Sequence, residues 1–161
     1  MSRAPALASF LALLLAAPLS AEEPGRADWA RDPGTGCRFQ APASLASGRV
    51  FWTGDCVNGQ ATGHGMLRRR DAAGAGAAFF GEMREGVPVI GVVEVEGGYE
   101  VGRYRAGALG SNSMDFQERT DSFRAAARAA RAVAARFAAA GNPGSAAFYE
   151  GVAKRLELQE D

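Results

Sequence analysis

The sequence predicts an α+β fold: an antiparallel β-meander of hairpin repeats, covered by a C-terminal pair of antiparallel helices. Two observations predict it. In the middle of the chain, pairs of glycines five residues apart recur between stretches of alternating apolar and polar residues, which is typical of strands. In the last third, apolar residues recur at steps of three and four within Ala-rich stretches, which is typical of helices.

The composition is that of a folded chain. Its 161 residues allow one domain, or two small ones, and 47% of them are apolar while 22% are charged. Lys+Arg and Asp+Glu both total 18, so no net charge favours a nucleic acid or an acidic partner. We expect no nucleic-acid binding.

The first 21 residues read as a signal peptide. Arg3 precedes an apolar run at residues 6–19, and Ala21 offers a small residue at a cleavage site before Glu22. The run is too short to cross a bilayer core of about 30 Å, which takes about 20 apolar residues. We therefore expect a periplasmic or secreted protein without a transmembrane segment after cleavage. Residues 22–35 are expected to form a flexible N-terminal segment.

Export changes the interpretation of the two cysteines, Cys37 and Cys56. Outside the cytosol an even number of cysteines favours a disulfide, and closing a loop of about 19 residues stabilises a fold by about 3 kcal/mol. The alternative is half of a metal site. Its other ligands are missing from the sequence, because His64 is the only histidine and structural zinc takes four Cys or His ligands. The prediction is a structural disulfide, with no metal and no cofactor.

The stretch FWTGDCVNGQATGHG at residues 51–65 holds four closely spaced glycines. A phosphate-binding loop needs a helix after its glycines, but the following MLRRRDAAGAG has no helical period. A disordered linker does not fit the alternation of Phe51, Trp52 and Val57 with polar residues. Asn58-Gly59 is a strong hairpin signal, because its turn needs positive φ angles that Asn and Gly tolerate. A hairpin remains.

The hairpin pattern repeats. Two glycines five residues apart recur twice more, with a large or sulfur-bearing residue two positions after the first glycine and, in the first two copies, an aromatic residue two positions before it. The three copies are Gly54 to Gly59, Gly81 to Gly86 and Gly102 to Gly107, with Cys56, Met83 and Tyr104 at the inner position. The spacing predicts an array of two-stranded units.

These residues resemble the MORN repeat (membrane occupation and recognition nexus). The pattern aromatic-x-Gly-x4-Gly-x3-Gly-x-Gly is filled by Trp52, Gly54, Gly59, Gly63 and Gly65, and the second copy has Gly91 one residue late. Gly36-Cys37 and Cys56 also resemble exported bacterial MORN-like proteins in which a cysteine pair frames the first repeat. The resemblance covers residues 36–110. It implies a scaffold with protein or membrane-associated partners.

One face of the predicted sheet should be apolar. Side chains alternate along a strand, so Trp52, Phe79, Met83 and Tyr104 share a face with the first glycine of each copy. That glycine leaves room for an aromatic ring to lie across the strand. The opposite face carries more charged residues. We expect the C-terminal helices to cover the apolar face, because a sheet with one apolar face needs a cover.

Residues 111–161 should form a helical hairpin packed on this sheet. An apolar stripe of Phe123, Ala127, Ala130, Ala134 and Phe137, widened by Val133, predicts the first helix, and Phe148, Val152 and Leu156 predict the second. Ser113 or Thr120 is the expected cap of the first helix, and Ser145 that of the second.

No catalytic residue is predicted. His64 stands between two glycines, with no nucleophile or carboxylate fixed beside it by sequence, so a solvent-facing polar role is favoured. Candidate partner contacts are two groups of arginines, Arg68, Arg69 and Arg70 in the sheet and Arg124, Arg128 and Arg131 on the first helix. For both groups the simpler interpretation is solvated surface.

The expected function is a non-enzymatic binding or scaffolding module of the cell envelope, with an unknown protein or envelope component as partner and peripheral membrane contact compatible with it. Two alternatives stay open. One is an exported hydrolase or enzyme accessory with a pocket between sheet and helices. The other is a purely structural envelope protein.

Overall fold

The fold is α+β, as the sequence predicts: a curled, half-barrel sheet of eight strands followed by two helices that form a hairpin. The structure is a computed structural model, and it describes residues 29–45, 48–105, 108–110 and 115–160. The predicted signal peptide at residues 1–21 lies outside the described residues.

The strands form a meander over most of the sheet. The elements in chain order are β1 (Trp29–Arg31), β2 (Arg38–Gln40), a 3-10 turn (Ala43–Leu45), β3 (Arg49–Val57), β4 (Gln60–Asp71), β5 (Gly74–Arg84), β6 (Val87–Val95), β7 (Gly98–Arg105), β8 (Ala108–Leu109), α1 (Phe116–Ala139) and α2 (Pro143–Glu157). From β3 onward each strand pairs antiparallel with the next. The β1–β2 pair joins the sheet through a short parallel contact between Arg38 and Gln60.

The predicted turn at Asn58-Gly59 is confirmed. Its two residues have φ angles of 52° and 74°, and Glu85-Gly86 repeats the geometry with 50° and 78°. Both turns lie at the same end of the sheet, because they connect β3 to β4 and β5 to β6. The corresponding glycine of the third copy, Gly107, lies outside the described residues. The two described copies therefore share one turn type at one position.

A row of glycines crosses the sheet at right angles to the strands. The register pairs each glycine with the next over four strands, in the order Gly65, Gly81, Gly91 and Gly102. The late position of Gly91 in the second copy is absorbed by a register shift between Glu82 and Met83. The repeated glycines thus occupy one line of the sheet.

Aromatic rings fill the space above these glycines. A Cβ atom added at Gly54 would lie 2.2 Å from the Trp52 ring, and one added at Gly65 would lie 2.4 Å from it. The Phe79 ring occupies the same position over Gly81, where an added Cβ would lie 2.5 Å from Cζ. The sequence-based expectation that glycine makes room for a ring across the strand is met at both rings.

The apolar face predicted from the repeats is buried, and we name it the aromatic face. It carries Trp52, Leu67, Phe79, Met83, Val93 and Tyr104. The prediction that the helices cover it is wrong. Its cover is the segment at residues 37–45, whose Phe39, Ala41 and Leu45 belong to the same buried cluster. This segment lies in the sequence before the first hairpin, where the alternation of Cys37, Phe39 and Ala41 with polar residues is short and was not read as a strand.

The helices cover the opposite side of the sheet, which we name the helix face. Its buried side chains are Met66, Ala78, Phe80 and Val92, and they form one cluster with the inner side chains of α1 and α2. Tyr99 meets Phe123 edge-to-face at 5.5 Å between ring centroids. Asp55 of β3 and Glu82 of β5 make this face look polar in the sequence, whereas Phe80 of β5 and the returning strands β4 and β6, with Met66 and Val92, supply its apolar side chains. The sheet therefore lies between two covers.

The helix boundaries differ from the predicted ones. Asp115 caps α1, since its side chain accepts a hydrogen bond from the backbone N–H of Glu118, and Thr120 lies inside the helix. Asn142 caps α2 in the same way through the N–H of Ser145. In both cases a capping carboxylate or amide stands three residues before the N–H that it accepts from. Phe148, predicted in the apolar stripe, is 55% exposed. Among the described residues, neither helix is both long and apolar enough to span a membrane.

Part of the segment predicted as flexible has secondary structure, and its flexibility stays a prediction. Trp29–Arg31 forms strand β1, and the carboxylate of Asp32, within the following turn, accepts hydrogen bonds from the N–H groups of Gly34, Thr35 and Trp52. The predicted disulfide joins Cys37 to Cys56. It fixes the start of the covering segment to β3, so the covalent link and the hydrophobic contacts hold the same segment in place.

The glycine row generates a stability prediction. Gly81→Ala places a Cβ 2.3 Å from the Ile90 carbonyl oxygen and 2.9 Å from the Gly91 Cα, where only backbone could move away. We expect the free energy of unfolding to fall by more than about 2 kcal/mol. The measurement is urea denaturation followed by circular dichroism.

Gly98→Ala is the matched control, since Gly98 is also in a strand and a Cβ there meets nothing within 4 Å. It should change the free energy of unfolding by less than about 0.5 kcal/mol. Equal losses in the two variants would contradict the close packing over Gly81.

Candidate functional site

The three consecutive arginines of β4 do not form one cluster. Arg68 is buried on the helix face, where its guanidinium lies 6.0 Å from the Phe80 ring and 5.9 Å from the Tyr149 ring, and donates to the Gly76 carbonyl at 3.1 Å. Arg69 lies on the opposite side of the strand, half-buried. The guanidinium of Arg70 lies 5.4 Å from the Phe51 ring. The pleat of the strand separates side chains that are adjacent in the sequence.

The three arginines of α1 that were named from the sequence each have a partner within the chain. Arg124 forms ion pairs with Asp121 at 3.4 Å and Glu160 at 3.3 Å. Arg131 forms an ion pair with Glu157 of α2. An external anion would compete with these contacts. Their role in binding a partner stays a prediction.

The third of these arginines, Arg128, reaches the only histidine. Its Nε donates to Nε2 of His64 at 3.3 Å, and Glu82 lies opposite His64 in the β4–β5 register. Arg84 forms an ion pair with Glu82 at 2.9 Å. Burial lowers the pKa of His64 below its ordinary value, the charge of Arg128 lowers it further, and Glu82 partly opposes both. The neutral imidazole is thus a contact between sheet and helix.

An open trough lies at the ends of β4 to β7 that are remote from the Asn58-Gly59 turn. Its volume is about 510 Å³. Ala77, Val95 and Gly98 lie side by side in three neighbouring strands, and the first two also pack against the aromatic-face cluster. The next row along the sheet carries Leu67, Phe79 and Val93, which are fully buried. The trough exists because the side chains become small where the row of large ones ends.

Charged groups surround the small side chains of the trough. Arg69 lines one part, and Glu94 and Glu96 line another together with Tyr99. Two carboxylates and one guanidinium leave a net charge of −1 on its lining. This mixture differs from a phosphate or nucleic-acid site, where cations predominate. It fits a ligand that presents both polar groups and small apolar ones.

The seam between the covering segment and the aromatic face contains polar groups. Ser44 Oγ donates to Glu100 Oε2 at 2.8 Å. Burial raises the pKa of the Tyr104 hydroxyl above its ordinary value, and the charge of Glu100 raises it further. Gln40 Oε1 and the Tyr104 hydroxyl are buried without a hydrogen-bond partner among the described residues. Such atoms weaken an interface by about 1–3 kcal/mol each.

Most of the site residues named from the sequence thus lie where they support the fold. The repeat glycines and the disulfide organise the sheet, and the arginines are spread over both of its faces and α1. Within the part of the chain that the structure describes, no three His, Cys, Asp or Glu side chains are grouped as metal ligands would be. Sequence reasoning missed the trough, whose lining comes from four strands. One feature of the sequence could have indicated the trough: the small residues beside the turns before β5 and β7.

Comparison with known proteins adds no relative to this description. No protein-family model, no curated protein and no solved structure matches the chain.

The His64–Arg128 contact predicts a pH dependence of stability. A pKa that is lower in the folded than in the unfolded state gives stability that is complete above the unfolded pKa of about 6.5 and is lost as the pH falls through the folded pKa. His64→Gln removes this titration. Between pH 7.5 and pH 5.0, we expect the melting temperature of the variant to fall by less than that of the wild type.

The histidine ring signals in an NMR titration provide the direct check, because His64 is the only histidine. A titration midpoint of His64 at or above 6.5 in the folded protein would contradict the lowered pKa. An identical pH dependence of the melting temperature in the variant would contradict its effect on stability.

Proposed function

We propose that this protein is an exported, non-enzymatic binding or scaffolding module of the cell envelope, built on MORN-like repeats. The trough carries the proposal of binding. It is an open depression of about 510 Å³ whose lining combines small apolar side chains with charges of both signs. A pocket of this size is in the range that binds a ligand or a short segment of a partner.

The support for export comes from two parts of the chain. The residue pattern at 1–21 is that of a signal peptide, and an intramolecular Cys37–Cys56 disulfide is compatible with an oxidising compartment. The MORN-like assignment is supported by the repeated glycine spacing and by the two matching turns.

The kind of ligand follows from the trough lining. A net charge of −1 spread over Arg69, Glu94 and Glu96 does not favour a polyanion, and Ala77, Val95 and Gly98 leave space for small side chains rather than a large ring. A polypeptide segment has this mixture of backbone polarity, small apolar groups and both charges. We therefore propose a protein of the envelope as the partner.

No observation favours the enzyme alternative in which a pocket lies between sheet and helices. Among the described residues, that space is filled by the cluster that includes Phe80, Phe123, Val133 and Leu156, each almost completely buried. The proposal of a binding module rests on the trough instead.

The test is a comparison of two variants in affinity capture. The chain without residues 1–21, immobilised, is exposed to envelope extract, and retained proteins are identified by mass spectrometry. Gly98→Tyr should fill the trough, and its Cβ has room, since a Cβ at Gly98 meets nothing within 4 Å. We expect the proteins retained by the wild type to be lost.

Ala135→Tyr, at an exposed position of α1, adds the same side chain elsewhere and should retain the same proteins as the wild type. Circular dichroism confirms that both variants are folded. Retention by Gly98→Tyr equal to that of the wild type would show that the trough is not the binding site.

A further inference from the structure

The outer side of α2 has a composition that the packing of the fold does not explain. At 100° per residue, the positions that face away from the core are Ala147, Phe148, Gly151, Lys154, Arg155 and Leu158, the last directly after the helix. Phe148 is 55% exposed and Leu158 is 75% exposed. Two large apolar side chains thus lie in solvent on one side of a helix, with two cations between them.

The cations of this outer face make no ion pair with a described residue. Salt bridges within the helical hairpin involve Arg124 and Arg131, whereas Lys154 and Arg155 form none. The guanidinium of Arg155 lies over the middle of the face, with Nη1 3.8 Å from the Cβ position of Gly151. With respect to the residues that the structure describes, both charges are left for an external group.

The carboxylates of α2 lie to one side of this face. Glu157 pairs with Arg131 of α1, and Glu150 also acts on the charge of Arg131. The hydrogen bond from Arg131 lowers the pKa of Glu157 below its ordinary value, and Lys154 is near enough to lower it further. No carboxylate lies between Lys154 and Arg155 on the outer face. Glu150 is exposed at the edge of the outer face, about 40° around the helix from Lys154. With Glu150 counted, the outer face has a net charge of +1 in a chain whose total charge is zero.

A third exposed apolar side chain lies at the same end of the hairpin as Leu158. Phe116, 69% exposed, begins α1 one turn before Thr120, whose hydroxyl donates to the Glu160 carbonyl at 3.3 Å. This contact brings the start of α1 beside the end of α2. The apolar groups thus extend beyond the second helix.

We propose that the outer face of α2 docks on the surface of a bilayer that contains anionic lipids. Helices that lie in the membrane interface combine Phe or Leu with Lys or Arg on the side that meets the lipid, and anionic headgroups attract the cations. The charge complementarity selects this occupant over an apolar protein groove, which would leave Lys154 and Arg155 buried without partners. The inference deepens the proposed function and rests on its location in the envelope.

The test uses the chain without residues 1–21 and vesicles of equal parts phosphatidylglycerol and phosphatidylcholine, compared with vesicles of phosphatidylcholine alone. Co-sedimentation at low salt should show binding to the anionic vesicles at least about tenfold stronger, because each cation contributes about fivefold. The difference should shrink in 0.5 M NaCl, where charges are screened. The variant Lys154→Glu with Arg155→Glu should reduce binding to the level of neutral vesicles.

Two controls separate the outer face from general charge and from the trough. Arg49→Glu with Arg105→Glu makes the same charge change at exposed positions in strands, and Gly98→Tyr alters the trough. Both should bind anionic vesicles as the wild type does. Phe148→Ser with Leu158→Ser should weaken binding at both salt concentrations.

Several results would overturn the proposal: no preference for anionic vesicles, undiminished binding by the Lys154→Glu, Arg155→Glu variant, or an equal loss in the strand control. Retention on a heparin column without vesicle binding would also overturn it, since the face would then bind an acidic macromolecule. Failure of the trough as a binding site would leave these vesicle results unchanged.

Discussion

The close contact between two aromatic rings and a row of glycines is the constraint on which the rest of the structure depends. Trp52 and Phe79 can lie flat across neighbouring strands only where the row at Gly65, Gly81 and Gly91 lacks Cβ atoms. Because side chains alternate along each strand, this register also decides which residues face the helices. The placement of Phe80 on the helix face and of Ala77 in the trough follows from it.

The sequence was sufficient for features that depend on neighbouring residues. Asn58-Gly59 predicts its own turn, and Cys37 and Cys56 predict their pairing once export is assumed. The covering role of residues 37–45 was missed, because Cys37, Phe39 and Ala41 alternate with polar residues over only five positions, which is too short to show which face of the sheet they would cover. The strand β6 did contain a signal: Ile90, Val92 and Val93 make both of its faces apolar, which indicates a strand covered on both sides.

The candidate site also depends on contacts between residues that are distant in the sequence. Arg68, Arg69 and Arg70 look like one cationic group in the sequence, but the pleat directs Arg69 away from the other two. The contact of His64 with Arg128 joins residues 64 positions apart, and no local pattern encodes it. The trough likewise exists only after four strands are aligned. A surface helix is different: the exposed Phe148 and Leu158 and the cations Lys154 and Arg155 can be grouped from the helical period alone, once the buried side is known.

Whether the sheet lies between two different covers is tested most directly by NMR contacts between assigned aromatic rings. We expect nuclear Overhauser effects between Tyr99 and Phe123, whose centroids are 5.5 Å apart, and between Phe79 and Tyr104, at 5.4 Å. We expect none between the Trp52 ring and α1. Contacts from Trp52 or Phe79 to the helices would contradict this arrangement, because the aromatic face would then be the one that the helices cover.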